Sequence, residues 1–355
     1  MAYRNWTLRR TLLAKMFALA WLGFIPGNFA SGDEAVLNDE KPIRVIDLSK
    51  GDAKGRPPVI TCVQISPDGK TLATGGDDHF VRLWSMEDGH FVRKLDEHND
   101  WVRALDFSND GATLATAGDG RRVQLWDVAT GNELKSLPLH PVSIFSVAYG
   151  RDGKMLATAG FEDKMRMYDA MSGQLMKTVE CPCHDMRTVI FSPDASRIAA
   201  AGRNGKIRVW NTADGKVIGD WDAHNLRVRS LAFSPDGHLL ASTGEDRQVR
   251  VWDATSGAET MTLTAPPGKM MTLAFIGDTR LATAGTDNLV HLWDLKTRKE
   301  ITTYVGHTGS VATLAVDENL GLLVSGSFDT TVRVWRITRL KNETTRREDG
   351  TEFLK

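Results

Sequence analysis

The sequence has little of what would place it in several common protein classes. It contains only three cysteines, Cys62, Cys181 and Cys183, whereas a domain held by disulfides carries more of them and in even number. Its 44 Lys and Arg residues nearly balance 45 Asp and Glu residues, for a net charge of -1. No global field would therefore draw it to nucleic acid or an anionic membrane. We expect a core-stabilised protein without a nucleic-acid partner.

No metal or cofactor site is apparent around the paired cysteines. The stretch CPCH at 181–184 is one residue short of the C-x-x-C-H haem signature, and no further ligands can be placed beside it for a metal. We interpret it as an ordinary loop with free or locally bridged thiols, and we place Cys62 in the core. The sequence predicts no cofactor and no metal.

Long hydrophobic runs are also missing, since spanning a bilayer takes about 20 apolar residues. The N-terminal run MFALAWLGFI, residues 16–25, is shorter; basic residues precede it and small residues follow around Ala30. That order is typical of a secretory signal peptide. We predict a signal peptide or signal anchor at residues 1–32 and export to the periplasm or the extracellular space. The alternative is a protein that stays anchored in the membrane by residues 11–25.

Glycine and tryptophan are, by contrast, abundant. The chain has 32 Gly and 10 Trp residues, and this much glycine beside ordered apolar segments indicates many tight turns between short strands. The composition therefore favours an all-β fold.

A period of about 42 residues organises most of the chain. Aromatic residues recur at intervals of 42, 42, 42, 42, 41 and 42 residues, at Trp84, Trp126, Tyr168, Trp210, Trp252, Trp293 and Trp335. Each is preceded by a segment such as TLATAG and, before that, by a turn such as SPDG, in which Asp-Gly supplies the positive φ of a tight turn. Each repeat thus predicts four strands. Such units bury both faces only by stacking radially, which predicts a seven-bladed β-propeller.

These motifs resemble the WD40 family over residues 42–338. The resemblance implies a ring closed by a strand from the N-terminus that pairs with the last blade. The stretch PIRVIDL at 42–48 suits that role, because no fourth strand is evident after Trp335. The polar, charged residues 339–355 are predicted to form a mobile tail.

Two repeats carry a complete set of polar residues at matching spacing: His224, Ser242, Asp246 and Trp252, and His307, Ser325, Asp329 and Trp335. Ser, His and Asp together suggest a catalytic triad. The resemblance implies instead buried structural tetrads in which these groups hydrogen-bond in sequence. In the fourth repeat Ala200 and Asn204 replace two of the four, which predicts that blade 4 is held least by polar contacts.

The resemblance also implies where a partner would bind. Contacts are expected on the face formed by the loops that lead into the first strands and the loops that hold the turn Asp. Aromatic and Arg residues dominate interface energetics, and the candidates are Trp101, Phe161, Arg203, Arg227 and Phe328. We expect an exported scaffold that binds a protein or peptide, as a monomer or as part of a hetero-complex.

The competing class is a propeller enzyme with a site at the mouth of the central channel. Outside the tetrads the remaining histidines, His79, His90, His238 and His291, are scattered over different strands and turns and do not converge. No catalytic residue is therefore predicted. A third alternative, a membrane-tethered scaffold, differs from the first only in whether the N-terminal segment stays attached.

Overall fold

The computed structural model describes residues 39–50, 57–95, 98–181, 183, 185–263 and 268–338. Within them the chain forms 29 strands in seven sheets and one turn of 3₁₀ helix, at Leu48–Lys50. This part of the chain contains no helix long and apolar enough to cross a membrane. The predicted all-β, seven-bladed propeller is confirmed. The predicted signal segment, 1–32, and the predicted tail, 339–355, lie outside the described residues.

Each blade is an antiparallel sheet whose strands follow the chain from the central channel to the rim. Two short strands precede the first blade: β1 (Asp39–Glu40) and β2 (Arg44–Asp47). Blades 1 to 3 contain β3 (Ile60–Ile65), β4 (Thr71–Gly76), β5 (Val81–Ser85), β6 (Phe91–Leu95); β7 (Val102–Phe107), β8 (Thr113–Gly118), β9 (Val123–Asp127), β10 (Glu133–Ser136); β11 (Ile144–Tyr149), β12 (Met155–Gly160), β13 (Lys164–Asp169), β14 (Leu175–Glu180). Blades 4 and 5 contain β15 (Met186–Phe191), β16 (Arg197–Gly202), β17 (Lys206–Asn211), β18 (Val217–Asp222); β19 (Val228–Phe233), β20 (Leu239–Gly244), β21 (Val249–Asp253), β22 (Glu259–Leu263). Blades 6 and 7 contain β23 (Met270–Ile276), β24 (Arg280–Gly285), β25 (Val290–Asp294), β26 (Lys299–Tyr304); β27 (Val311–Asp317), β28 (Leu322–Ser327), β29 (Thr331–Arg336).

The SPDG turn joins the first two strands of a blade by a fixed set of hydrogen bonds. In blade 5 the Ser234 hydroxyl donates to Asp236 at 2.5 Å and accepts from the Leu239 amide at 2.9 Å. Gly237 has a φ of +73°, a conformation that a side chain would strain. The same Ser and Asp pairing recurs at Ser66, Ser108 and Ser192, so in these blades the motif forms the turn that leads from the first strand to the second.

The core lies between neighbouring blades. Second strands such as TLATAG of β8 are buried on both faces, and Ala, Thr and Gly there let adjacent sheets approach closely. One cluster joins Ile60 and Leu72 of blade 1 to Val332 and Val334 of blade 7. Because every blade depends on its neighbours for burial, the ring is stable only when it closes.

Strand β2 closes the ring. It pairs antiparallel with β29, with Arg44 opposite Val334 and Ile46 opposite Val332, and so supplies the fourth strand of blade 7, as predicted. Ile46 is buried while Val45 is exposed. The structure adds one element that the sequence did not predict: β1 pairs in parallel with the outer edge of β26 in blade 6.

Candidate functional site

Both complete polar sets form closed hydrogen-bonded chains. In blade 5 the Trp252 indole N–H donates to the Ser242 hydroxyl at 2.9 Å, and the two nitrogens of His224 lie 2.8 Å from Ser242 Oγ and 2.8 Å from Asp246 Oδ1. Asp246 also accepts the Asn225 amide at 3.1 Å. These hydrogen bonds therefore connect the loop ahead of β19 to strands β20 and β21.

Blade 7 repeats this arrangement with Trp335, Ser325, His307 and Asp329. The successive distances are 2.8, 2.7 and 2.9 Å. Burial alone would raise the pKa of Asp329, but hydrogen bonds from His307 and Thr331 outweigh it and hold the pKa well below its usual range. The carboxylate is thus ionised and accepts the His307 Nδ1–H.

The tetrad serines cannot act as nucleophiles. Ser242 and Ser325 are 0% exposed, and each hydroxyl is already committed to an indole and an imidazole. A nucleophile needs access to substrate and an oxyanion hole. The geometry therefore supports the structural role of the tetrads.

The other blades contain only some of the hydrogen bonds of the tetrad. Thr74, Thr116 and Thr283 accept the indole N–H of their blade Trp at 3.0, 2.8 and 2.9 Å. In blade 3 the Tyr168 hydroxyl lies 2.9 Å from His140 Nε2. Blade 4 offers Ala200 at this position, so the Trp210 indole has no hydroxyl to donate to there.

Blade 6 contains a polar cluster that was not predicted from the sequence. His291 is buried between Asp287, 2.9 Å from Nε2, and Glu300, 2.6 Å from Nδ1. Burial alone would lower its pKa, but the two carboxylates outweigh burial and raise the pKa to about 9. The protonated ring donates at both nitrogens and cannot ligate a metal. Among the described residues, no group of three or more His, Cys, Asp or Glu is arranged to hold a metal ion.

The loops ahead of each innermost strand and the loops between second and third strands share one face of the ring, called here the loop face. Its described segments are 57–59, 77–80, 98–101, 119–122, 137–143, 161–163, 181, 183, 185, 203–205, 223–227, 245–248, 268–269, 286–289, 305–310 and 328–330. Trp101, Phe161 and Phe328 are 37, 56 and 44% exposed on it. Arg203 is exposed as well.

A glycine at the end of the second strand brings the two kinds of loop together. A Cβ at Gly118 would lie 1.8 Å from the carbonyl oxygen of Trp101. That oxygen accepts the Asp119 amide at 2.9 Å, so Trp101 is held directly beside the neighbouring loop. Gly160 has the same close approach to Ser143 in blade 3. Only glycine allows this contact.

The central channel has a volume of about 760 Å³ and is lined mainly by the seven innermost strands. A recess of about 150 Å³, called here the channel mouth, lies at the loop-face end of the channel, because its lining residues stand near the start of the innermost strands. One residue from each blade surrounds the mouth, at matching positions in the innermost strands, and Phe328 lies beside them. The seven residues are Thr61, Arg103, Phe145, Arg187, Arg229, Met271 and Ala312.

Acidic residues of the loop face orient the mouth arginines. Arg187 lies 2.9 Å from buried Asp185, and Arg229 lies 2.9 Å from Glu245. Arg227 bridges both acids, at 2.9 Å from Asp185 and 3.2 Å from Glu245. Three arginines and two carboxylates thus form one continuous chain across blades 4 and 5.

Aromatic rings support the remaining mouth contacts. Arg103 lies 4.3 Å above the Trp101 ring and pairs with Asp119 at 2.6 Å. Arg187 lies 3.8 Å from the Phe145 ring centre. Cation–π contacts of this kind favour a fixed orientation of the guanidinium.

The five residues predicted to contact a partner all lie on the loop face, but only Phe328 lines the mouth. Trp101 contacts the mouth through Arg103, while Phe161 and Arg203 lie outside it. Arg227 is an internal link between two acids. The mouth arginines were not predicted from the sequence, although all three occupy the same register, one residue into an innermost strand.

The comparisons with curated proteins show short local similarity. The chain is 42% identical over 48 residues to "General transcriptional corepressor TUP1" of Saccharomyces cerevisiae, covering 14% of this chain and 7% of that protein. It is also 42% identical over 48 residues to "Periodic tryptophan protein 2" of Arabidopsis thaliana, covering 14% of this chain and 5% of that protein. The chain thus spans less than a tenth of these relatives.

The family comparison covers far more of the chain. A model described as "WD domain, G-beta repeat" matches six segments, which together make up more than half of the sequence: residues 50–85, 89–127, 131–169, 173–211, 215–253 and 298–336. The structure has a blade in the unmatched interval as well, where His291 replaces the Arg found at this position in most repeats. The chain belongs to the WD40 repeat family.

Proposed function

We propose that this protein is an exported interaction scaffold that binds a protein or peptide on its loop face. The observation that carries the proposal is the concentration of exposed aromatic side chains, Trp101, Phe161 and Phe328, around a mouth of oriented arginines. Aromatic and Arg residues supply most of the binding energy at protein interfaces. The acid partners hold the arginines in place before a ligand arrives, which reduces the entropy lost on binding.

A pull-down from an extract of the source cell tests the binding face. A face variant carries Trp101→Ala, Phe161→Ala and Phe328→Ala. A matched rim variant carries Phe91→Ala, Leu175→Ala and Val217→Ala, three side chains 51, 51 and 49% exposed on outer strands. We expect proteins that the wild type and the rim variant retain to be lost from the face variant. Equal recovery by all three would refute the proposed face.

Export is the second part of the proposal. The basic residues and short apolar run of residues 1–32 support it. Mass spectrometry of the purified cellular protein should find an N-terminus after about residue 30. An intact N-terminus in the membrane fraction would instead support tethering by residues 11–25. An intact N-terminus in the cytosol would exclude both.

A further inference from the structure

The positive charges at the channel mouth are not fully compensated. Of the seven mouth residues, three are Arg and none is acidic. In the chain across blades 4 and 5, Asp185 and Glu245 are the only acidic partners that the described residues provide for Arg187, Arg227 and Arg229, which leaves one positive charge in excess. Arg103 and Asp119 balance each other. One further negative charge would therefore balance the charges at the mouth.

The unused hydrogen-bond donors point to the same conclusion. Arg229 contacts Glu245 through Nη2 at 2.9 Å with its side chain 29% exposed, and the buried Nε of Arg227 has no hydrogen-bond partner among the described residues. Burial lowers the pKa of the Arg187 guanidinium, and Arg227 and Arg229 lower it further, although Asp185 opposes them. An anion in the mouth would relieve this repulsion.

The two ends of the channel differ in charge. Asp317 and Glu318 line the far end, together with Arg151. Asp317 is the last residue of β27, and Arg151 and Glu318 follow their innermost strands, whereas Arg103, Arg187 and Arg229 stand near the start of theirs. Within the channel, a carboxylate would thus be attracted to the mouth and disfavoured at the far end.

We propose that the channel mouth binds a carboxylate side chain of an acidic peptide segment, with neighbouring apolar side chains of that segment resting on Trp101 and Phe328. This inference rests on the proposed function and names the chemistry of its partner. A planar carboxylate matches the paired donors of a guanidinium. A monoanion also matches the single excess charge.

Selection from a phage library of random decapeptides on the immobilised full-length protein tests the proposal. We expect selected peptides to be enriched in Asp and Glu by about twofold or more over the starting library. Their binding should weaken about tenfold in the double variant Arg187→Gln, Arg229→Gln, and also when their Glu residues are changed to Gln. Arg208→Gln is the matched control, because Arg208 pairs with Asp220 away from the mouth.

The outcomes separate this inference from the proposed function. Neutral or basic peptides that are lost with Trp101→Ala, but not with the arginine variant, would overturn the acidic ligand and leave the loop face intact. Peptides insensitive to both variants, or no selection at all, would count against both. Circular dichroism and the unfolding midpoint check the fold of each variant. If the double variant is unfolded, Arg229→Gln replaces it, since Glu245 keeps Arg227 as its partner.

Discussion

Single side chains decide how firmly each loop is attached to its blade. Ser242 is the clearest case, because one hydroxyl accepts an indole N–H and contacts an imidazole, both buried. A buried polar group whose hydrogen-bond partner is removed is still shielded from water, so the free energy of its desolvation is no longer compensated. The tetrads therefore contribute to stability because every buried polar group in them has a hydrogen-bond partner.

Ser242→Ala is expected to lower the free energy of unfolding by about 2–3 kcal/mol, since it leaves Trp252 Nε1 and His224 Nε2 without partners. Urea unfolding followed by tryptophan fluorescence measures the change. Thr255→Ala, an exposed position in the same blade, is the control and should change stability by less than about 0.5 kcal/mol. Equal effects of the two substitutions would show that the tetrad is dispensable.

His291 predicts a pH dependence of stability. Its pKa in the folded protein, about 9, lies above its ordinary value of 6.5, so the stabilisation is complete below about pH 6.5 and is lost as the pH rises through about 9. The stability difference between wild type and His291→Gln should therefore shrink between about pH 7 and about pH 9.5.

His98 provides the control for this titration, because burial lowers its pKa to about 4. The difference between wild type and His98→Gln should stay constant over the same interval. If the stability difference between wild type and His291→Gln were also constant over this interval, the charge of His291 would not contribute to stability.

At the scale of elements, the blades are unequal although their strands are alike. Blades 5 and 7 have complete tetrads, blade 6 uses His291 between two acids, and blade 4 has Ala200 where a hydroxyl would stand. Packing between sheets is common to all of them, with the second strand of every blade buried. We therefore expect the blades to differ in local stability through their polar contacts.

Blade 4 is accordingly expected to open most easily. Native-state hydrogen exchange should show lower protection for the amides of β16 and β17 than for those of β20 and β21, because local opening there breaks fewer buried hydrogen bonds. Blade 5 is the internal control in the same experiment. Protection in blade 4 equal to or above that of blade 5 would contradict this account.

Strand order and blade number could be predicted from the sequence, because each 42-residue repeat contains four strand-like segments and the repeat occurs seven times. The positions of the tetrads could be predicted as well, since their spacing repeats, and the resemblance to the WD40 family implied their structural role. The parallel pairing of β1 could not, because two residues without apolar alternation give no strand signal. The role of His291 was missed for a similar reason: its partner Glu300 lies on the next strand, and only the strand register brings them together.

At the scale of the whole molecule, stability depends on the closure of the ring by β2. Ile46→Ala should lower the free energy of unfolding by about 2–4 kcal/mol, because this side chain is buried between blades 7 and 1. Val45→Ala, on the exposed face of the same strand, should change it by less than about 0.5 kcal/mol. Thermal and urea unfolding measure both. A similar small loss in the two variants would show that β2 does not close the core.

A closed ring also presents its loops as one rigid surface, and the central claim is that this surface is the one that binds. Site-specific photo-crosslinking in the source cell tests it most directly, with benzoylphenylalanine in place of Phe161 or Phe328 on the loop face, and of Phe91 or Leu175 on the rim. We predict the same crosslinked protein from both loop-face positions and none from the rim. Adducts from the rim alone would contradict the claim.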